Sequence, residues 1–502
     1  VDREKLIREH ERPYPSPPDE RPLRREMEGR NAPTRNDGQD PYPFAQSGGE
    51  SPQSTGKSGE DARFLALWRR FWRDGERVHP DAEPFLLDVA RSALGEEVRR
   101  RGIDEVPASD AASAGGQGEG EAPTPEQDAS FQRSRFAYRF HGCLLGGAVG
   151  DALGARIAFT DLATIREKYG PDGFVDPGGF REHVNHATSN TQMALFTVSG
   201  LITAYDAARE SDPVIARQTM PLYAYLGWLH TQGTPWRDLW PEPTRRLVPE
   251  EPSGWLVREP ALHARRNPNP TCLAALREFG QNNRRGSLDH PLNNARDAGA
   301  AVRSAPVALW SDSPSEVFRV AAELAVLTHG HPTAYLSAAA FAVICHVLLR
   351  QESLPAAIQE AREHLRVWRG HEETLAALDE AVRLAAGDRP TPERIEERLG
   401  SGESAEQALG IAVCAALSCP DSYADAVVMA ANHSGRSDYS AALCGSLMGA
   451  QHDVVGIPWQ WWEPLDLRFL VDKVAHDVTA VFGYTFSTPD RSRRPVEHYL
   501  WR

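Results

Sequence analysis

Paired cysteines are missing from this 502-residue chain. Its six cysteines (Cys143, Cys272, Cys345, Cys414, Cys419 and Cys444) are scattered, with no CxxC pair. That spacing argues against a disulfide or zinc framework. Most sit in apolar, helix-like stretches such as 411-IAVCAALSC-419 and read as small core residues in a reducing, cytoplasmic setting. A basic surplus is missing too. The net charge is −15 and the pI about 5.6, so the chain carries no electrostatic footprint for nucleic acid. The opening stretch VDREKLIREHERPYP has no apolar core of the kind a secretory signal needs. The longest apolar run, 335-YLSAAAFAVICHVLL-349, reads as too short for a bilayer and contains a His, so no membrane partner is expected. No fixed-period repeat is visible, which argues against a solenoid.

What is present is helix after helix. Residues 1–59 are rich in Pro, Glu, Arg, Ser and Gly and are expected to be a disordered tail. Residues 60–105 read as a short helical segment. Phe64, Leu67, Trp68, Phe71 and Trp72 share one face, and Phe85, Leu86, Val89, Ala90 and Leu94 share another. Such faces pack on each other or on a larger domain, or they dock a protein partner through residues 61–101. Residues 106–132 have the Gly/Ala/Ser/Glu/Pro composition of a flexible linker. From 133 to 490, stretches such as 192-QMALFTVSGLITAYDAA-208, 315-SEVFRVAAELAVLTHG-330 and 404-SAEQALGIAVCAAL-417 alternate with Gly/Pro/Asn/Asp loops. No hairpin or βαβ alternation appears, which predicts a compact all-α multi-helix domain followed by a tail over 491–502.

Three strings carry the chemistry: 140-FHGCLLGGAVGDALGARIAFTD-161, 187-ATSNTQM-193 and 432-NHSGRSDYSAALCGSLMGA-450. With 225-YLGWLHTQG-233, 271-TCLAALR-277, 298-AGAAVRSAPVAL-309 and 327-LTHGHPTAYLSAAA-340, they resemble the ADP-ribosylglycohydrolase family, of the dinitrogenase reductase-activating glycohydrolase-like kind. The resemblance implies an all-α fold and hydrolysis of ADP-ribosyl bonds with two Mg²⁺ or Mn²⁺ ions. Hard dications close together need largely anionic oxygen ligands. In the family these come from a Glu after GDALG, the paired Asp of T-D-D-T-Q-M and the two Asp of G-D-S-D. Here the five positions hold Ala158, Ser189, Asn190, Arg436 and Asp438. Asp438 is the one retained carboxylate, while Ser189 and Asn190 stand at catalytic Asp positions. Thr188 and Ser440 remain as neutral oxygen ligands.

Four negative charges are thus lost and one positive charge is gained. The expectation is a degenerate site that holds no metal pair and needs no cofactor. Asp161, Glu182 or Asp297 could restore a carboxylate, but each also reads as a capping or solvated group; Asp297 in particular reads as an N-cap for a helix at 298–302. Arg436 could bind an anion directly, or it could pair with Asp438 or Asp297 and close the site. The resemblance adds Gly299, His329, Asn432, Arg436 and Ser437 to Thr188 as ligand-binding candidates. Gly445 and Gly449 read as helix-packing residues, and 459-WQWW-462 as core or rim packing.

Three functions compete. One is a catalytically impaired family member that recognises ADP-ribose, a related nucleotide-bearing ligand or an ADP-ribosylated protein. Another is an active hydrolase with altered metal use. The third is an interaction protein that docks through its N-terminal helices.

Overall fold

The computed structural model describes residues 125–482, apart from 176–184, 209–211, 243, 247 and 253. The expected tails, the helical segment at 60–105, most of the linker and Glu182 lie outside the described residues. Eight α-helices form the first half: α1 (Pro125–Gly154), α2 (Leu162–Tyr169), α3 (Ser189–Ala207), α4 (Pro213–Thr231), α5 (Pro270–Asn282), α6 (Pro314–Val326), α7 (Pro332–Leu349) and α8 (Leu354–Leu365). Seven follow: α9 (Glu372–Ala385), α10 (Pro392–Leu399), α11 (Ala405–Ser418), α12 (Tyr423–Ala431), α13 (Ser437–His452), α14 (Trp459–Trp462) and α15 (Arg468–Phe482). The described residues hold no strand, only an isolated bridge between Asn185 and Leu465. The fold is all-α, as the periodicity predicts.

Local chemistry sets where these helices begin. Helices α4, α5, α7, α8 and α10 each carry Pro in the first turn, where the missing N–H would have no intrahelical partner. Asp212, Asn269, His331, Ser353 and Thr391 cap those same helices through their side chains. Two boundaries differ from the sequence reading. Helix α1 begins at Pro125, inside the stretch read as linker, and α14 and α15 follow α13, which reads as the last helix of the sequence. Helix α15 is amphipathic: Val471, Val474, Ala475, Val478, Val481 and Phe482 are buried at helical spacing, with Lys473 and His476 on the exposed side.

Helix α7 runs through the core. It is long and apolar enough, by length and composition, to cross a bilayer, which corrects the reading of 335–349 as too short. Within this domain 89% of it is buried, packed against α6, α8, α11 and α13. Its His346 is buried beside Arg350, and burial and that charge hold the imidazole down at about 4. All six cysteines are free and buried, in keeping with their reading as core residues.

The frame of the molecule is the pair α1 and α13. These helices run antiparallel with their backbones in contact. Gly142 faces Gly449, Gly146 faces Gly445, Gly150 faces Ala441 and Gly154 faces Ser437, one turn apart at each step. A Cβ on Gly142, Gly146, Gly150 or Gly154 would fall closer than 3.0 Å to a backbone carbonyl of α13. The same holds in reverse at Gly445 and Gly449. This bears out their reading as packing residues, and it fixes the last turn of α1 against the first turn of α13.

Two tests follow from this packing. Gly445→Ala should lower unfolding free energy by about 3 kcal/mol in urea denaturation, because the obstacle is backbone and cannot rotate away. Gly387→Ala, where the nearest atom is 3.8 Å off, should be close to neutral. For His346 the folded value lies below the unfolded one, so its contribution is full above the unfolded value of 6.5 and fades as pH falls towards about 4. Wild-type protein should therefore lose about 2 kcal/mol more than His346→Gln between pH 7.5 and pH 5.

Candidate functional site

The last turn of α1 delivers Asp151 to the first turn of α3. Asp151 is fully buried and accepts hydrogen bonds from the Thr188 amide (2.7 Å) and hydroxyl (2.7 Å). It also accepts from the Thr191 amide (3.3 Å) and hydroxyl (2.6 Å), and from Asn190 Nδ2 (3.0 Å). The carboxylate thus serves as the internal anion at the α3 N-terminus, where unsatisfied N–H groups and the helix dipole favour negative charge. Burial pushes the Asp151 carboxyl up against the hydrogen bonds from Thr191 and Thr188, and the nearby Asp438 charge adds to the push. Beside it lies a cavity of about 20 Å³ lined in part by Asn190, Thr191 and Ser446, enough room for a single water.

Asn190 joins this half to the other. Its Nδ2 also reaches Asp438 Oδ2 at 3.3 Å. Asp438 is 1% exposed, and both of its oxygens are taken by Arg436, from Nε at 2.8 Å and from Nη2 at 2.7 Å. This side-on pairing is the arrangement in which a guanidinium holds a carboxylate most firmly. Arg436 is sandwiched between the Tyr439 ring, 3.5 Å from its Cζ, and the Phe159 ring at 4.8 Å. Burial works against the guanidinium charge, yet the hydrogen bonds and charge of Asp438 outweigh it and hold the group more firmly protonated than an ordinary arginine.

Tyr439 links the pair to a second cluster. Its hydroxyl accepts from Asn269 Nδ2 (2.8 Å) and donates to Asp297 Oδ1 (3.3 Å). Asp297 also takes Asn269 Nδ2 (2.6 Å), Thr271 Oγ1 (2.8 Å), the Gly299 amide (3.1 Å) and His329 Nε2 (2.9 Å). Burial would raise this carboxyl, but the charge and hydrogen bond of His329, with Asn269 and Thr271, win and hold it well below the usual carboxylate range. The other ring nitrogen of His329 meets Thr328 Oγ1 at 2.8 Å, and Arg303 Nη2 donates to that same oxygen at 2.7 Å. Arg303 is itself buried over the Tyr225 ring. A polar chain therefore runs unbroken from Arg303 in the core to Asp151.

The predicted residues divide accordingly. Asp438, Asn190, Thr188 and Arg436 meet in one network. Ser189 does not join them: its hydroxyl donates to the Asn267 carbonyl at 3.0 Å. Ser440 lies deeper, donating to the Ala430 carbonyl (2.8 Å) and bonded to His433 Nε2 (2.6 Å), so its oxygen is consumed by the frame. Ser437 likewise donates to the His433 carbonyl, and Asn432 clamps Phe174 through that residue's amide and carbonyl. His329 is fully buried with both nitrogens bonded, which leaves none for a ligand. Ala158 is half-buried in the turn that leaves α1. Asp161 restores no ligand; it caps α2 through the Thr164 amide. Asp297 does cap a backbone N–H, at Gly299, but the segment is a turn and not a helix, and the carboxylate is a hub of the network.

Sequence reasoning missed Asp151, Tyr439, Phe159, Asn269 and Arg303. Asp151 stands inside GDALG, and Tyr439, three positions after Arg436, stands where the family string has a small hydroxyl residue. A bulky ring appearing beside a new guanidinium was the available signal.

The sequence model of the ADP-ribosylglycohydrolase family matches residues 132–486, which includes every residue of this network. The chain belongs to the ADP-ribosylglycohydrolase family. Among the relatives of this ADP-ribosylglycohydrolase-family protein is an uncharacterized protein of Archaeoglobus fulgidus, 27% identical over 346 residues that span 67% of this chain and 94% of the relative. A solved structure described as an ADP-ribosylglycohydrolase-related protein complex aligns with TM-score 0.44 and 22% identity, over 68% of this chain and 98% of its own.

A dication pair, as the family implies, does not fit this donor set. Asp151 is saturated by five N–H and O–H donors, and Asp438 is occupied on both oxygens by a cation that cannot deprotonate. Among the described residues no group of three or more His, Cys, Asp or Glu is placed to hold a metal ion.

Removal of one member of the central pair should be costly. Arg436→Ala leaves Asp438 buried without a countercharge and should lower unfolding free energy by about 3–5 kcal/mol in guanidinium denaturation. Arg436→Met combined with Asp438→Leu should recover most of that loss.

Proposed function

We propose that this ADP-ribosylglycohydrolase-family protein recognises ADP-ribose or a related nucleotide-bearing ligand, free or attached to a protein, without metal-dependent hydrolysis. The observation that carries this reading is Arg436, paired side-on with Asp438 and stacked on Tyr439 at the string that resembles the family's metal carboxylates. One permanent positive charge, paired with Asp438, stands where anionic oxygen ligands would be needed, so the centre disfavours a bound dication.

The chemistry of the remaining residues supports binding over turnover. Hydrolysis at an anomeric carbon needs a carboxylate free to take a proton from water. Asp438 is engaged by Arg436, Asp151 by the α3 N-terminus and Asp297 by His329 and its neighbours. Pairing through Nε and Nη2 leaves Nη1 outside the ion pair, and the side chain keeps 16% exposure. A phosphate or ribose oxygen can be met there by a charge-assisted hydrogen bond. A protein partner for residues 61–101 and a cytoplasmic location complete the reading from sequence alone; both rest on residues or compartments outside the described fold.

Calorimetric titration with ADP-ribose, with and without Mg²⁺, tests the reading when paired with a hydrolysis assay on ADP-ribosylated arginine and serine peptides. The expected result is binding that ignores magnesium and no turnover. Metal-dependent turnover, or two magnesium ions bound at micromolar affinity, overturns it.

A further inference from the structure

Phe159 is used by nothing described so far beyond its contact with Arg436. It sits in the turn after α1 with φ of +62°, a left-handed conformation that is disfavoured for a residue with a Cβ and rarest for bulky side chains. A hydrogen bond from its amide to the Gly435 carbonyl, at 2.6 Å, pins it there, and Gly435 itself adopts φ of +101° to offer that carbonyl. The residue is nonetheless 66% exposed. Backbone preference would favour Gly or Asn at this position, and burial would favour a ring turned inward. Neither explains an aromatic ring held outward.

The layering does explain it. Tyr439, Arg436 and Phe159 form three layers, with the guanidinium 3.5 Å from one ring centroid and 4.8 Å from the other. The innermost layer is fixed by the Tyr439 hydroxyl bonds to Asn269 and Asp297, and the middle layer by the ion pair with Asp438. Phe159 is therefore oriented from beneath, and its exposure leaves the side away from Arg436 available for a fourth layer.

We propose that Phe159 is a stacking platform for the base of a small nucleotide, with the ligand's anionic group directed to Arg436 at the rim of the same stack. A planar heteroaromatic ring suits an aromatic face, and base stacking on such a face is sequence-tolerant and substantial. The net charge of −15 opposes a long polyanion, so the ligand is a small nucleotide and not a nucleic acid. This rests on the proposed recognition of a nucleotide-bearing ligand and assigns the position of its base.

The test compares ADP-ribose with ribose 5-phosphate, which lacks a base, in calorimetric titrations of the full chain. Wild type should bind ADP-ribose more tightly than ribose 5-phosphate. Phe159→Ala should weaken ADP-ribose about tenfold and leave ribose 5-phosphate unchanged, while Phe159→Trp should keep the wild-type affinity. The introduced indole should also change its fluorescence when adenosine monophosphate is added. Equal ADP-ribose affinity in wild type and Phe159→Ala overturns the platform and leaves nucleotide recognition intact. Equal weakening of both probes overturns it as well, since Phe159 would then act only by holding Arg436. If wild type binds neither probe, the recognition reading fails and the platform with it.

Discussion

Backbone contact between α1 and α13 is the constraint on which the rest of this molecule depends. Where two helices touch through glycine, their axes come closer than side-chain packing allows, and their relative register is set by main-chain atoms. The last turn of α1 carries Asp151, and the first turn of α13 carries Asp438. Both carboxylates are therefore held near each other whatever else occupies the site. Asn190, at the start of α3, bridges them because Asp151 anchors that helix terminus. The geometry of the centre follows from the frame and is not negotiated by the residues within it.

Two buried carboxylates brought together in this way need positive charge. A guanidinium meets the need differently from a metal ion. It supplies one delocalised charge, directs its hydrogen bonds in a plane, and can lie flat on aromatic rings, which a hydrated dication cannot do. Tyr439 and Phe159 exploit that flatness, and the Tyr439 hydroxyl extends the arrangement to Asp297 and His329. The substitutions in the two motif strings therefore form one physical unit: loss of the other carboxylate positions, gain of Arg436 and gain of the Tyr439 ring balance one another.

Much of this was legible in the sequence. Helical periodicity located α3, α6 and α11 to within a few residues, and the Arg436–Asp438 pair is one of the pairings expected of a charge placed at a polar centre. Asp161 proved to be the capping residue its position suggests. What could not be read were contacts fixed by tertiary register. Tyr439 and Asp297 lie 142 positions apart, and only the fold brings the hydroxyl to the carboxylate. Asp151 offers a carboxylate like any ligand in one dimension; its five donors belong to the N-cap and first turn of α3, which reaches it through a loop. The turn at 298–303 reads as helix because its composition is helical, yet Asn269 and Asp297 crowd Gly299 and hold the segment in another shape.

The opposed glycines of α1 and α13 have a consequence for how such a protein can change over time. In an ordinary core, a larger residue on one helix can be matched by a smaller one on its neighbour, so volume is exchanged across the contact. At Gly142 with Gly449 and at Gly146 with Gly445, neither partner has a side chain to surrender. No second substitution can compensate for a first, and the two positions of each pair cannot drift in concert. The positions at the mouth of the site are under no such bind, because charge can be rebalanced by a neighbour. Variation is thereby channelled to the chemistry and away from the scaffold, so a descendant of this chain is free to exchange what it binds long before it is free to exchange its shape.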